Sequence, residues 1–197
     1  MSDTDNDFNQ HVATHMERIG EIAWQISPQI SAAAQCIVQS LLDEGQVIAC
    51  GAGKANALAQ YFCTCLLSHY ESDRPALPAV NVGNDATTFA AICMNNRIQE
   101  TLSRQIQALG REGDTLLLLT DDGNKSSLIQ SIQAAHDRNL RVIAITGKQE
   151  TDLHSLLHDN DIAIGLPDLP PSTAAEIIVL ILNAICAQVE EMLFGST

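Results

Sequence analysis

The chain has 197 residues, 46% hydrophobic, 17% charged and 4% aromatic, a balance that suits one buried domain built from Leu, Ile, Val and Ala and excludes a disordered chain. Its formal net charge is −14. With no run of basic residues, that charge argues against direct nucleic-acid binding and against attraction to an anionic membrane, since both need clustered Lys and Arg.

Cys36, Cys50, Cys63, Cys65, Cys93 and Cys186 lie in apolar stretches with no CxxC pair. They read as buried thiols in a reducing compartment, not as disulfides or metal ligands. The acidic opening MSDTDNDFNQ lacks the basic start and apolar block of a signal peptide. The most apolar stretch, Ile177 to Ala187, is interrupted by Asn183 and is too short to cross a bilayer. A cytoplasmic protein with no membrane contact is expected.

In chain order, Phe8, Val12, Met16, Ile19 and Ala23 recur at steps of four or three, one apolar stripe on a first helix. Ser27-Pro28 reads as an N-cap with proline at the first helical position. It opens a second helix, with Ile30, Ala33, Ile37, Val38 and Leu41, that Gly45 stops. Residues 1–45 thus form a helical arm, and 46–197 the main domain. From there short apolar runs alternate with helical segments. The runs are Gln46–Cys50, Ala79–Val82, Thr115–Thr120, Arg141–Thr146 and Asp161–Leu166. The helices fall near Lys54–Tyr70, Asp85–Gly110 (broken near Asn95), Lys125–Arg138 and Thr151–His158. Continuously apolar strands alternating with helices indicate a parallel sheet covered on both faces. The fold class is therefore α/β, a three-layer sandwich on a five-stranded parallel sheet, closed by a long helix after Pro170-Pro171-Ser172. That last helix is apolar on nearly every side, which points to burial between subunits.

Two loops follow strands and open helices, where backbone N–H groups and the helix dipole favour anions. The first, Cys50-Gly51-Ala52-Gly53-Lys54-Ala55, carries two glycines that a strand-to-helix turn also needs for its backbone alone. Asn56 stands where a dinucleotide fingerprint would want a third. The second is Thr120-Asp121-Asp122-Gly123-Asn124-Lys125-Ser126-Ser127. Asp121 and Asp122 suggest a hard cation, but the spaced acids of a calcium loop are missing. His11 and His15 share an i,i+4 face, as do His154 and His158; with no third ligand in sequence, both pairs read as helix surface.

The first loop, with Asp73-Arg74-Pro75-Ala76-Leu77-Pro78-Ala79, Ser103-Arg104-Gln105, Ala108 to Asp114 and Val142 to Lys148, resembles the phosphoheptose isomerase branch of the sugar-isomerase (SIS) family. The ending Glu190-Glu191-Met192-Leu193-Phe194 is similar to that of initiator-associating proteins within the branch. The resemblance implies a homotetramer with a sugar-phosphate pocket at the strand ends. That pocket would be formed by Gly51, Gly53, Thr120, Asp121, Asp122, Gly123 and Asn124.

Where the isomerases carry a catalytic Glu and His, the aligned positions hold Cys65 and Asn183. Their metal-ligand candidates, a His and a Gln, align with Tyr61 and Ala175, and Ala55 replaces a serine of the first loop. Neutral Asn cannot exchange a proton near neutral pH. Two aspartates facing a phosphate would repel it, with Lys54 and Lys125 as partial offsets. The expectation is therefore a non-enzyme without cofactor or metal: an adaptor binding the replication initiator DnaA through Leu193 and Phe194. The alternatives are an isomerase recruiting His69 or Glu71, a sugar-phosphate sensor without turnover, and a partner subunit of an active paralogue.

Overall fold

The computed structural model describes residues 3–120, 125–147 and 151–195. Its elements are α1 (Asp3–Leu42), β1 (Val47–Gly51), α2 (Ala55–Leu67), β2 (Ala79–Asn81), α3 (Ala86–Met94), α4 (Ser103–Leu109), β3 (Thr115–Thr120), α5 (Lys125–Asp137), β4 (Arg141–Thr146), α6 (Thr151–His154), β5 (Ile162–Gly165) and α7 (Pro171–Phe194). A single 3₁₀ turn, Ile98–Glu100, joins α3 to α4.

The five strands pair in the order β2-β1-β3-β4-β5, parallel throughout. Side chains alternate along a strand, so each strand feeds two cores. Val47, Ala49, Leu117, Leu119, Ile143 and Ile145 join α1, α2 and α7 on one face. Ile48, Cys50, Leu116, Leu118, Val142 and Ala144 meet α4 and α5 on the other. The three-layer α/β sandwich is as the sequence indicates.

Three local expectations are corrected. Ser27-Pro28 does not divide two helices: α1 runs unbroken with Pro28 inside it. Proline removes one hydrogen bond, to the carbonyl four residues earlier. That residue, Trp24, is 88% exposed, so water can serve its carbonyl, while Ile22 and Ile30 on either side pack into one core and hold the helix straight through. The segment after Asp85 breaks twice, into α3, the 3₁₀ turn and α4. Helix α6 ends at His154, because the Asp161 carboxylate captures the His158 N–H at 2.8 Å and turns the chain.

Helix α7 is long and apolar enough to cross a membrane by length and composition, contrary to the estimate from Ile177 to Ala187 alone. Ile177, Ile178, Ile181, Leu182, Ile185 and Val189 are buried against α1, α2 and the sheet. Leu180 on its outer side is exposed, together with Phe8, Val12 and Met16 of α1. Phe8, Val12 and Met16 of the first apolar stripe therefore line an open cleft, while Ile19 packs against the core.

Candidate functional site

Helices after parallel strands begin where the strands end, so ligand chemistry collects at that edge of the sheet. Gly51 closes β1 there. A Cβ on it would stand 2.6 Å from the Ala55 carbonyl carbon and the Asn56 nitrogen, so only glycine lets α2 start so close to the strand. Gly53 has φ +56, a left-handed conformation that glycine adopts without strain. Asn56 has its own role: its Nδ2 donates to the Gly83 carbonyl at 3.0 Å and its carbonyl accepts from Asn81 Nδ2 at 3.2 Å, tying the loop to the end of β2. Thr120 is buried at the neighbouring strand end, and its carbonyl accepts the Gly147 N–H at 2.7 Å. Asp121, Asp122, Gly123 and Asn124 lie outside the described residues, as does the side chain of Lys125.

Above this loop lies a crevice of about 260 Å³ lined by Lys54, Ala55, Leu58, Pro171, Ser172 and Ala175, among others. Helices α2 and α7 then run side by side in the same sense. Two turns below the loop, the Tyr61 hydroxyl donates to Asn183 Oδ1 at 2.6 Å. Cys65 and Cys186 come next along the same seam. Burial, then the nearby Cys65, pushes the Tyr61 phenol and the Cys186 thiol up from their ordinary values, so both stay protonated near neutral pH. Tyr61, Cys65 and Asn183, singled out separately in the sequence, thus meet in one place.

This donor set does not fit a metal at the family's ligand positions: Ala175 offers no ligand atom, and the protonated Tyr61 hydroxyl is committed to Asn183. His69 and Glu71 are also excluded from the pocket. They follow the C-terminus of α2, roughly 20 Å from the loop at 1.5 Å per residue.

On the outer side of α7 a second cleft, of about 490 Å³, is lined by Phe8, His15, Met16, Glu176 and Asn183, among others. Ala175 faces the crevice and Glu176 the cleft, so the two openings flank the first turns of α7. His15 Nε2 lies 2.8 Å from Glu176 Oε2, and His11 Nε2 3.5 Å from Oε1. The two histidines therefore do have a third polar neighbour, 161 positions beyond His15. The other pair dissolves. His154 Nε2 sits 3.4 Å from Thr146 Oγ1, whereas His158 stacks on His136 with ring centroids 3.7 Å apart.

Glu190 pairs with Arg74 Nε at 2.6 Å and accepts the backbone N–H groups of Tyr70, Glu71 and Ser72. Leu193 is partly buried against the core, and the Arg74 guanidinium lies 6.0 Å from the centre of the Phe194 ring. Within the ending that resembles initiator-associating proteins it is Glu190 that holds the segment around Arg74, while Met192 and Phe194 stay exposed.

Residues 7–147 match the SIS-domain family model. The phosphoheptose isomerase of Chromohalobacter salexigens is 38% identical over 172 residues, 87% of each chain. This chain belongs to the phosphoheptose isomerase-like SIS-domain family. The phosphoheptose isomerase of Colwellia psychrerythraea is 33% identical over 96% of this chain and 94% of its own. Among solved structures, a phosphoheptose isomerase from Francisella tularensis superposes with a TM-score of 0.89 at 30% identity, covering 97% of this chain and 100% of the other.

These likenesses overturn two expectations from the sequence. A SIS chain whose relatives carry an enzyme's name over most of its span is not read as a non-enzyme from Cys65 and Asn183 alone. An adaptor for DnaA, with Leu193 and Phe194 as its anchor, likewise finds no support in relatives named phosphoheptose isomerase. The physical error lay in equating two altered positions with the loss of every proton carrier, when His11, His15 and Glu176 border the same cleft as Asn183.

Proposed function

We propose that the chain is a sugar-phosphate isomerase of the phosphoheptose type, interconverting the aldose and ketose forms of a phosphorylated seven-carbon sugar. The observation that carries this reading is the 33% to 38% identity to phosphoheptose isomerases over nearly the whole chain. Aldose–ketose exchange moves a proton between adjacent carbons and requires a group that takes it and one that serves the neighbouring oxygen. The Tyr61 hydroxyl, held protonated and directed along the α2–α7 seam, suits the oxygen. On the other side of Asn183, His11, His15 and Glu176 border the outer cleft that Asn183 also lines. Lys54, with Gly51, Gly53 and Thr120 at the strand ends, suits the phosphate.

A homotetramer fits the exposed apolar face of α1 and α7, where Phe8, Met16 and Trp24 would be covered by a second copy. Free cysteines, five of them buried, suit the reducing cytoplasm.

The test is proton NMR of heptose phosphate in deuterated buffer, with pentose and hexose phosphates alongside. Formation of the isomer with deuterium entering the carbon next to the carbonyl supports the reading. Neither conversion nor exchange on any of the three sugars refutes it. Light scattering at the assay concentration tests the tetramer: a monomer would remove it.

A further inference from the structure

Outside the α2–α7 seam, the strongest unassigned cluster is His11, His15 and Glu176. Two histidines four residues apart project from the same face of α1, and Glu176 in the second turn of α7 meets them across the helix pair. The ligating atoms of all three lie within 4.8 Å of one another. A tetrahedral ion with bonds of about 2.1 Å holds its ligands about 3.4 Å apart. The observed spacings of 2.8 and 3.5 Å to the two carboxylate oxygens bracket that distance.

The contacts made without an ion are poor. His15 Nε2 is closed to solvent and has no hydrogen bond, although Glu176 Oε2 is 2.8 Å away. The direction of the nitrogen therefore misses the oxygen, which leaves it buried and close to a carboxylate without a hydrogen bond. The rings of His11 and His15 stack with centroids 5.6 Å apart, which sets their two nitrogens side by side.

We propose that His11, His15 and Glu176 bind a divalent transition-metal ion of the zinc class, with the fourth position open to the cleft. Two imidazoles and one carboxylate are the ligand chemistry of such ions, and three protein ligands with a free position mark a site that reacts and does not merely brace the fold. The apolar side chains of Phe8, Val12, Met16 and Leu180 border it, lowering the local dielectric and strengthening the ion's effect on anything bound there. Asn183 lines the same cleft seven residues further along α7, about 10 Å at 1.5 Å per residue. The ion's use in turnover, polarising a sugar oxygen that the neutral Asn183 cannot charge, rests on the isomerase reading. Binding of the ion does not.

The His136, His158 and Asp161 group is the other such cluster among the described residues. Its carboxylate already accepts from Val142 N, His158 N and His136 Nε2 at 2.7 to 2.8 Å. That set is complete without an ion, and it supplies the control.

The experiment is titration of the metal-stripped full-length protein with Zn²⁺ alone, by calorimetry, and with Co²⁺ by visible absorption. No sugar is present, so failure here and failure of the isomerase reading are separate results. One Zn²⁺ per chain is expected, weakened by more than about a hundredfold in His15→Ala and Glu176→Ala, weakened also in the exposed His11→Ala, and unchanged in His158→Ala. The cobalt spectrum should show tetrahedral bands without thiolate charge transfer. Far-UV circular dichroism confirms that each variant is folded, His11→Ala serving if a buried change unfolds the chain. No stoichiometric binding, binding indifferent to all three ligand variants, loss in His158→Ala, or a thiolate signature would each overturn the proposal.

Discussion

Replacing Glu190 by Ala should be among the most destabilising single changes outside the apolar core. Arg74 is 2% exposed and Glu190 10% at their side chains. The Arg74 guanidinium donates to the Cys65, Leu66 and Pro75 carbonyls at 2.7 to 3.0 Å. Two of these end α2, where the last turn has no intrahelical donors, so Arg74 is the C-terminal cap of that helix. Glu190 neutralises it and also accepts the N–H groups of Tyr70, Glu71 and Ser72 at 2.9 to 3.4 Å. Removing the carboxylate leaves a buried guanidinium with no countercharge, a loss of about 3–5 kcal/mol. The three N–H groups add less, because the loop can open to water. About 4 kcal/mol is a large part of a typical total of about 5–15 kcal/mol. Glu190→Gln keeps an acceptor and should lose about half as much. Urea denaturation at fixed protein concentration measures this as a shift in midpoint with constant slope. An Arg74→Met/Glu190→Ala cycle should show coupling above about 2 kcal/mol. A loss below about 1 kcal/mol for Glu190→Ala, or additive single changes, would refute the account. The same carboxylate predicts an acid limit. Burial pushes Glu190 up, but the Tyr70 N–H, Arg74 and the Glu71 and Ser72 N–H groups outweigh it and hold it below its ordinary 4.5. Below 4.5 the unfolded chain then binds the proton more readily than the native one. Its contribution is therefore complete above that pH and lost as pH falls through the folded value. Glu190→Gln should flatten the acid limb of the stability curve.

Gly51→Ala should cost about 3 kcal/mol or prevent folding, since its Cβ meets backbone at 2.6 Å, an overlap the loop cannot relieve by rotating a side chain. Gly53→Ala meets nothing within 4 Å and should cost only the left-handed conformation, about 1 kcal/mol; equal thermal shifts for the two would contradict this. Burial pushes the Cys50 and Cys63 thiols up to about 12, and of the six cysteines only Cys93 is not buried. Native protein should therefore release one rapid equivalent with a thiol reagent at pH 8 and the other five only on unfolding; two or more rapid equivalents would be inconsistent. Tyr61→Phe removes the donor to Asn183 at an exposed position and should change stability by less than about 1 kcal/mol. It should lower kcat for heptose phosphate by about tenfold or more, with KM little changed, and unaltered kcat would remove Tyr61 from the reaction.

The sheet was legible because each strand carries its own signal: Thr115–Thr120 and Arg141–Thr146 are apolar on both faces, and only a doubly covered parallel sheet accommodates that. Pro28 was misread for the opposite reason. Ser27-Pro28 is the same dipeptide at a helix start and inside a long helix, and only the shared packing of Ile22 and Ile30 distinguishes them. The seam of Tyr61, Cys65 and Asn183 was legible through family resemblance, since nothing in local spacing joins α2 to α7.

The histidine pair marks where sequence reading stops. His11 and His15 show their common face through a spacing of four, but a carboxylate on another helix becomes a partner only once α1 and α7 are packed in register. That register is set by the apolar contacts of Ile19, Ile22, Ile30, Ile177 and Ile181, which carry no mark of the polar cluster they align. The same packing that buries one face of α7 turns Leu180, Asn183 and Glu176 outward beside the exposed stripe of α1. Fold and site are therefore coupled through one helix pair: a substitution such as Ile177→Ala, aimed at the core, should disturb the His15–Glu176 spacing as well as stability. An equivalent core deletion in the other layer, Ile132→Ala, should cost a comparable 2–5 kcal/mol, roughly, and leave Zn²⁺ affinity unchanged.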